Sequence, residues 1–198
     1  MSGMFRNAAG KLWKDMSEEE QRADIAARTS VGTAFGTYKS GPTCLHDGYK
    51  AAFTMFEKGL IFAGAAAHDL TEPPGDTKLI IDLSGQVRVA TKPWVLSAPE
   101  GLEDFKLPPP SPPPILKLVW PDRSEPRCEP EWWSALLTRL REKFSGGRII
   151  VSCFGAHGRT GTAMAAIILA GSAKMPVEEA IKFVRKQHCT KAIESEEQ

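Results

Sequence analysis

Short runs of hydrophobic residues alternate with helical periods along the second half of the chain. Three runs that are bounded by glycine, proline or serine predict buried strands: residues 78–83, 115–120 and 148–152. Three amphipathic segments predict helices: residues 131–144, 160–170 and 177–188. Strands that alternate with helices favour an α/β fold, in which a central, mainly parallel sheet is flanked by helices.

The N-terminal residues carry a weaker pattern. Within residues 1–40, Ser17 and Glu20 have the spacing of a capping box, which predicts an extension with one helix. We therefore predict a single domain over residues 41–198, preceded by this extension.

Two segments near the first predicted strand are harder to assign. Residues 47–58 predict an amphipathic helix that contains Phe53 and ends at Gly59, whereas residues 60–67 fit a strand or a helix equally. Asp82, at the end of the first predicted strand, is interpreted as a hydrogen-bonded polar group rather than a catalyst.

Composition limits the classes of function. The chain has 198 residues, of which 42% are hydrophobic and 25% charged, as is usual in globular domains. Its formal net charge of +1 gives no overall field for nucleic acid or for a membrane surface. No apolar run is long enough for a membrane span, and the N-terminus lacks a signal peptide pattern. These features predict a cytoplasmic protein without nucleic-acid or membrane partners.

The cysteines are scattered along the chain as Cys44, Cys128, Cys153 and Cys189. Because they form no CxxC pair, they favour reduced thiols in a reducing compartment over a disulfide framework. Cys44 and His46 are close in sequence, but no second ligand pair accompanies them, so we predict no metal site.

A proline run precedes the second predicted strand. Residues 107–114 read LPPPSPPP, with Pro108 and Pro114 as the outer prolines, and this composition predicts an extended polyproline II segment. A stiff loop that leads into the strand is the commoner role, and a docking site for a proline-reading partner is the alternative.

The segment RIIVSCFGAHGRTGT joins a predicted strand to a predicted helix through a glycine-rich loop. Such a loop can turn backbone N–H groups toward an anion, and the positive end of the helix dipole adds to the attraction. The same donors favour a thiolate at Cys153, while the planar guanidinium of Arg159 can hold two phosphate oxygens. The pattern predicts a phosphate loop with a nucleophilic thiol, with a buried structural thiol as the alternative.

A second motif lies upstream, where Trp120, Pro121 and Asp122 follow the second predicted strand. Together with the C-x5-R-T loop, this triplet resembles the cysteine-dependent protein tyrosine phosphatase and dual-specificity phosphatase superfamily. Independently of that resemblance, cleavage of a phosphate ester needs a proton donor, which an aspartate on a mobile loop can supply. The alternative for Asp122 is an ordinary turn residue after proline.

The resemblance implies a role for each matching residue. Cys153 attacks phosphorus to form a phosphocysteine, and Asp122 protonates the leaving oxygen and later activates water. Arg159 holds the phosphate oxygens, the Thr160 hydroxyl hydrogen-bonds the departing thiolate, and Gln198 falls where the superfamily's water-positioning glutamine is expected. The remaining loop residues bind phosphate through their main-chain N–H groups: Phe154, Gly155, Ala156, His157 and Gly158. The resemblance implies no metal and no organic cofactor.

One residue departs from the superfamily pattern, because Ser152 stands where histidine usually precedes the nucleophile. We expect a less reactive thiol and lower activity as a result. Since the loop lacks the lysines found in inositol-lipid phosphatases, a phosphorylated protein is the favoured substrate. The triplet at Asp122 and the GRTG sequence resemble those of tyrosine-directed members of the superfamily, and this resemblance favours phosphotyrosine.

Other functions stay open at this point. Ser152 and the proline run also fit a pseudophosphatase that binds phosphorylated partners without turnover, and dual-specificity or non-protein substrates are further alternatives. A thiol enzyme such as an arsenate reductase would need a resolving cysteine, for which Cys128 and Cys189 are the candidates.

Overall fold

The structure is a computed structural model. It describes residue 17 and residues 51–55, 59–89, 95–97, 113–126, 128–144, 146–172 and 174–198. The predicted N-terminal helix apart from Ser17, the pair Cys44 and His46, and most of the proline run lie outside the described residues. The expectations for these segments stay predictions.

The described residues form a six-stranded sheet. Its strands are β1 (Ala51–Met55), β2 (Leu60–Ala66), β3 (Thr77–Asp82), β4 (Val95–Ser97), β5 (Ile115–Lys117) and β6 (Gly147–Cys153). The strands lie in the order β1-β2-β6-β3-β5-β4, and every neighbouring pair is parallel except β1 with β2. The prediction of a mainly parallel sheet is confirmed.

The helices in the described part of the chain are α1 (Pro130–Lys143), α2 (Gly158–Gly171) and α3 (Val177–Gln187), and a short 3-10 turn covers Ala67–Asp69. Helix α2 packs against α1, α3 and β6, so it lies at the centre of the helical layer. The three predicted helices are confirmed, with boundaries that shift by a few residues. None of these helices is long and apolar enough to cross a membrane.

The middle of strand β6, residues 149–151, is apolar on both faces of the sheet. Ile149 and Val151 belong to the main core between sheet and helices, whereas Ile150 points to the opposite face and joins a second cluster with Leu70 and Val87. A central parallel strand is covered on both faces, so it needs a continuous apolar run rather than an alternating one. Because β6 is buried on both faces, it holds the start of the following loop in a defined position at the end of the sheet.

The helix predicted over residues 47–58 is wrong, because residues 51–55 form strand β1. The chain turns back at Gly59, whose φ of 66° suits glycine, and β1 then pairs antiparallel with β2. The Phe53 ring stacks on Phe62 with centroids 5.1 Å apart. Pairing with β2 and this stack outweigh a helical period that is only a few residues long. The ambiguous segment after Gly59 is strand β2.

Asp82 ends β3 as a satisfied buried carboxylate, as predicted. It accepts hydrogen bonds from the backbone N–H groups of Ser84, Gly85 and Val87 and from the Ser84 hydroxyl, at 2.9–3.2 Å. The turn that these bonds stabilise carries Leu83, whose carbonyl contributes to the site described below. Asp82 therefore stabilises the turn at the end of β3.

Candidate functional site

Cys153 is the last residue of β6 and lies at the carboxyl end of the sheet, between the ends of β2 and β3. Its side chain is buried, with 3% of the residue exposed, and it forms no disulfide. Ligands of parallel α/β sheets bind beyond the carboxyl ends of the strands. The fold therefore places the predicted nucleophile at the floor of the expected binding edge.

The loop between β6 and α2 runs from Phe154 to His157, and α2 begins at Gly158. Ala156 is fully buried and has φ of 58°, a left-handed conformation that costs a residue with a side chain about 1–2 kcal/mol. The Gly161 N–H donates to the His157 carbonyl at 2.8 Å and so closes the first turn of α2. A loop that holds a buried residue in a strained conformation needs support from the structure around it.

Arg159 is held in place by the backbone of two other segments. Its Nη1 donates to the Leu83 carbonyl at 3.3 Å and to the Trp120 carbonyl at 3.2 Å, and only 6% of the residue is exposed. Its Nε lies 3.3 Å from Asp122 Oδ1, an ion pair that lacks hydrogen-bond alignment. The guanidinium thus joins the end of β3, the Asp122 segment and the start of α2.

Asp122 lies in a turn at the mouth of this site, with 51% of its side chain exposed. The Ser124 hydroxyl donates to the Pro121 carbonyl at 2.8 Å within the same turn. Just before it, Trp120 is fully buried and packs edge to face on Trp133 of α1, with ring centroids 6.5 Å apart. The anchored tryptophan and the exposed aspartate give the turn one fixed end and one accessible carboxylate.

The hydroxyls of Ser152 and Thr160 are buried on either side of the loop. Neither has a hydrogen-bond partner among the residues that the structure describes. Thr160 stands in the first turn of α2, directly after Arg159. Ser152 lies below the loop in β6, and its side chain gives the loop no hydrogen bond within the described residues.

Residues 194–198 lie against the start of α2. Gln198 Oε1 accepts a hydrogen bond from the Glu194 N–H at 2.8 Å, and both side chains lie over Gly158. A Cβ atom at Gly158 would lie 2.7 Å from Gln198 Nε2 and 2.8 Å from Glu194 Oε2. Arg185 of α3 fixes the segment by donating to the carbonyls of Ala192 and Ile193 at 3.0 and 3.1 Å. Gln198 therefore lies close to the predicted phosphate loop.

Glu194 is a second acidic residue at the site that the sequence did not reveal. Burial raises the pKa of Glu194, and the negative charge of Asp122 raises it further. The charge of Arg123, the Gly158 N–H and the charge of Arg159 act in the opposite direction on this pKa. Asp122 and Glu194 are far apart in sequence, so no local pattern could have indicated that they meet.

Two histidines near the loop were not predicted either. The Phe154 ring is 54% exposed and lies 6.3 Å from the His68 ring, so the two form an aromatic edge beside the loop. On the buried side, His188 Nε2 lies 2.7 Å from the Ala156 carbonyl oxygen. Neither histidine lies within a motif, and only the fold brings them to the loop.

The two candidate resolving cysteines lie in different places. Cys189 Sγ is 3.2 Å from His157 Nδ1, which puts it beside the loop, whereas Cys128 is half-buried just before α1. No group of three or more histidine, cysteine, aspartate or glutamate side chains suited to a metal ion occurs within the described part of the chain.

No family model matches the chain. Two uncharacterized proteins of Methanocaldococcus jannaschii are similar to short parts of it. MJECL20 is 48% identical over 54 residues, or 27% of this chain and 34% of the relative. MJ0215 is 44% identical over 50 residues, or 25% of this chain and 29% of the relative. The chain thus spans about a third of the length of the curated relatives that it matches.

Several solved structures are also similar. Tk-PTP in its active form is 21% identical, with a TM-score of 0.46, covering 79% of this chain and 90% of that one. Kinase associated phosphatase, with serine replacing its catalytic-site cysteine, is 14% identical, with a TM-score of 0.43, covering 70% and 80%. A mouse dual specificity phosphatase complexed with zinc tungstate is 16% identical, with a TM-score of 0.41, covering 82% and 85%.

Proposed function

We propose that the chain hydrolyses phosphate monoesters, with phosphotyrosine in proteins as the favoured substrate, through a phosphocysteine intermediate. The observation that supports this most is the meeting of two motifs that are distant in sequence. Asp122 Oδ1 lies 3.3 Å from Arg159 Nε at the mouth of a loop that begins at the buried thiol of Cys153. A proton donor, an anion clamp and a nucleophile are thereby grouped on one edge of the sheet.

Binding of the phosphate group relies on the loop and on Arg159. The N–H groups of the loop and the amino end of α2 attract the phosphate oxygens. Because Nη1 of Arg159 is anchored on the Leu83 and Trp120 carbonyls, the other guanidinium N–H groups can face the substrate. The phosphate then competes with Asp122 for Arg159, so substrate binding frees the aspartate to approach the leaving oxygen.

In the first chemical step, the Cys153 thiolate forms a bond to phosphorus and the bond to the leaving oxygen breaks. In this step Asp122 gives a proton to that oxygen. In the second step, water attacks the phosphocysteine, Asp122 accepts a proton from the water, and the phosphorus–sulfur bond breaks. The Thr160 hydroxyl donates to the departing thiolate, and Gln198 orients the water near Gly158.

The surface around the loop favours a phosphorylated protein. Phe154 is the exposed aromatic residue of the loop, and a phenyl ring of the substrate can pack against it more favourably than an alkyl chain can. The loop between Cys153 and Arg159 contains no lysine that would attract additional phosphates. Both features support phosphotyrosine as the preferred group.

The test measures hydrolysis of p-nitrophenyl phosphate and of a phosphotyrosine peptide in excess chelator. The wild type, Cys153→Ser, Asp122→Ala and the control Cys128→Ser are compared, and acid quenching traps the phosphocysteine. We expect turnover by the wild type and by the control, none by Cys153→Ser, and a loss of roughly 100-fold or more in Asp122→Ala.

Other outcomes distinguish the alternatives. Phosphopeptide binding without turnover would establish a pseudophosphatase, and faster hydrolysis of phosphoserine or phosphothreonine peptides would overturn the preference for phosphotyrosine. Turnover that survives in Cys153→Ser would exclude the phosphocysteine mechanism.

A further inference from the structure

Ala156 is a residue through which the loop between β6 and α2 contacts the rest of the fold. It is fully buried and adopts φ of 58° although it has a side chain. Its carbonyl oxygen lies 2.7 Å from His188 Nε2. A carbonyl oxygen can only accept a hydrogen bond, so Nε2 of His188 carries the proton and donates it.

His188 is held rigidly where it makes this bond. It follows the last residue of α3, its N–H donates to the Val184 carbonyl at 2.8 Å, and 4% of the residue is exposed. The imidazole fits over Gly64 in β2, since a Cβ atom there would lie 2.8 Å from both Nδ1 and Nε2, and still closer to Cε1. Gly64 is the register partner of Val151, so the ring lies on the sheet just below Cys153.

The position before the nucleophile cannot supply this support. Ser152 is fully buried, and its hydroxyl bonds to none of the residues that the structure describes. A histidine contributed by the end of α3 instead reaches the loop.

We propose that His188 is a positioning residue of the phosphate loop: its Nε2–H holds the Ala156 carbonyl and thereby orients the loop for phosphate. The Ala156 carbonyl and the His157 N–H belong to one planar trans peptide and point in opposite directions. Fixing the carbonyl toward His188 therefore directs the His157 N–H to the other side, where the phosphate binds. This inference rests on the proposed function, because it assigns His188 a task in the same site.

The first test separates the hydrogen bond from packing. His188→Leu fills the space without a donor, whereas His188→Gln keeps a side-chain N–H donor. Calorimetry with orthovanadate and with inorganic phosphate measures anion affinity without turnover. The rate of Cys153 alkylation by iodoacetamide at pH 6 reports the state of the loop.

We expect His188→Leu to lose roughly tenfold in anion affinity and in alkylation rate, because a buried carbonyl loses its hydrogen-bond donor. We expect His188→Gln to recover most of this loss.

The second test uses the glycine under the ring. Gly64→Ala should displace the imidazole and reproduce the loss seen in His188→Leu. In the His188→Ala background the added methyl group has room, so Gly64→Ala should cost little there, and the two changes should be strongly non-additive. Gly75→Ala is the matched control, since nothing lies within 4 Å of a Cβ atom at that position.

The outcomes separate this inference from the proposed function. If His188→Leu is folded in urea titrations and binds vanadate within threefold of the wild type, His188 does not position the loop. Equal losses in the Leu and Gln variants would assign the histidine to packing alone and would also overturn the proposal. If the wild type binds vanadate with an affinity that falls in His188→Leu and still hydrolyses none of the substrates, the inference about His188 stands and the proposed activity fails. If the wild type binds neither anion, both fail.

Discussion

Replacing Arg159 by lysine keeps the positive charge and removes the planar fork, so it tests whether geometry or charge governs the site. Nη1 of Arg159 donates to the carbonyls of Leu83 and Trp120 at 3.3 and 3.2 Å. A lysine ammonium is a single donor centre on a flexible stem and cannot serve both carbonyls and a phosphate together.

The expected magnitude follows from these contacts. A hydrogen bond from a charged donor contributes about 1.5–3 kcal/mol, and the two distances here are long, so we take the lower value for each. Lysine can keep one of the two bonds, which leaves a loss of about 1.5 kcal/mol in the free energy of unfolding. Loss of the fork on the phosphate in the transition state should lower kcat/KM by roughly 100-fold to 1000-fold.

Urea titration measures the stability, and hydrolysis of p-nitrophenyl phosphate measures kcat/KM. Arg148→Lys is the matched control, because Arg148 lies at the opposite end of β6 and pairs with Asp76 at 3.1 Å. The control should lose little activity. If Arg159→Lys keeps kcat/KM within fivefold of the wild type, the fork does not act as the phosphate clamp, and the assigned role of Arg159 is wrong.

Three further substitutions test other parts of the site. Burial and the charge of Asp122 raise the pKa of Glu194, so ionised Glu194 lowers stability above its folded pKa and has no such effect below the unfolded value of 4.5. Glu194→Gln should therefore be more stable than the wild type at pH 7 and equal to it near pH 4, and urea midpoints that differ equally at both pH values would contradict this. Gly161→Ala would put a methyl group 2.7 Å from Ala192 Cβ, so we expect a stability loss of about 1–3 kcal/mol and slower turnover as the C-terminal segment moves. Phe154→Ala should lower kcat/KM for a phosphotyrosine peptide by roughly threefold to tenfold and leave a phosphoserine peptide little changed, and equal effects on both would remove Phe154 from substrate choice.

The expectation that Ser152 lowers the reactivity of the Cys153 thiol stays a prediction. Because His188 contacts the same loop, a test of this expectation must include variants of His188. If His188 supports the loop from α3, the absence of a histidine before Cys153 costs less than the sequence alone suggested. Alkylation rates of Cys153 in the wild type and in His188→Leu measure that support directly.

The sequence by itself determined those secondary-structure elements that are specified by residues close together along the chain. Strand β6, the glycine-rich loop and helix α2 follow one another within a short stretch, so hydrophobic runs, glycines and the helical period predicted all three. Asp82 was also interpreted correctly, because a carboxylate just before Ser84 and Gly85 can bond the turn that follows it. The order of the elements then favoured the α/β fold that the structure shows.

Only the tertiary structure decided the contacts between segments that are distant along the chain. Residues 51–55 have a weak helical period, yet pairing with β2 makes them a strand, since edge pairing and a phenylalanine stack depend on where β2 lies. The 3.3 Å approach of Asp122 to Arg159, the position of Glu194 and the bond from His188 to Ala156 likewise need the sheet, α3 and the C-terminal segment in place. A sequence pattern reports the period of one segment, whereas these contacts arise from how several segments pack.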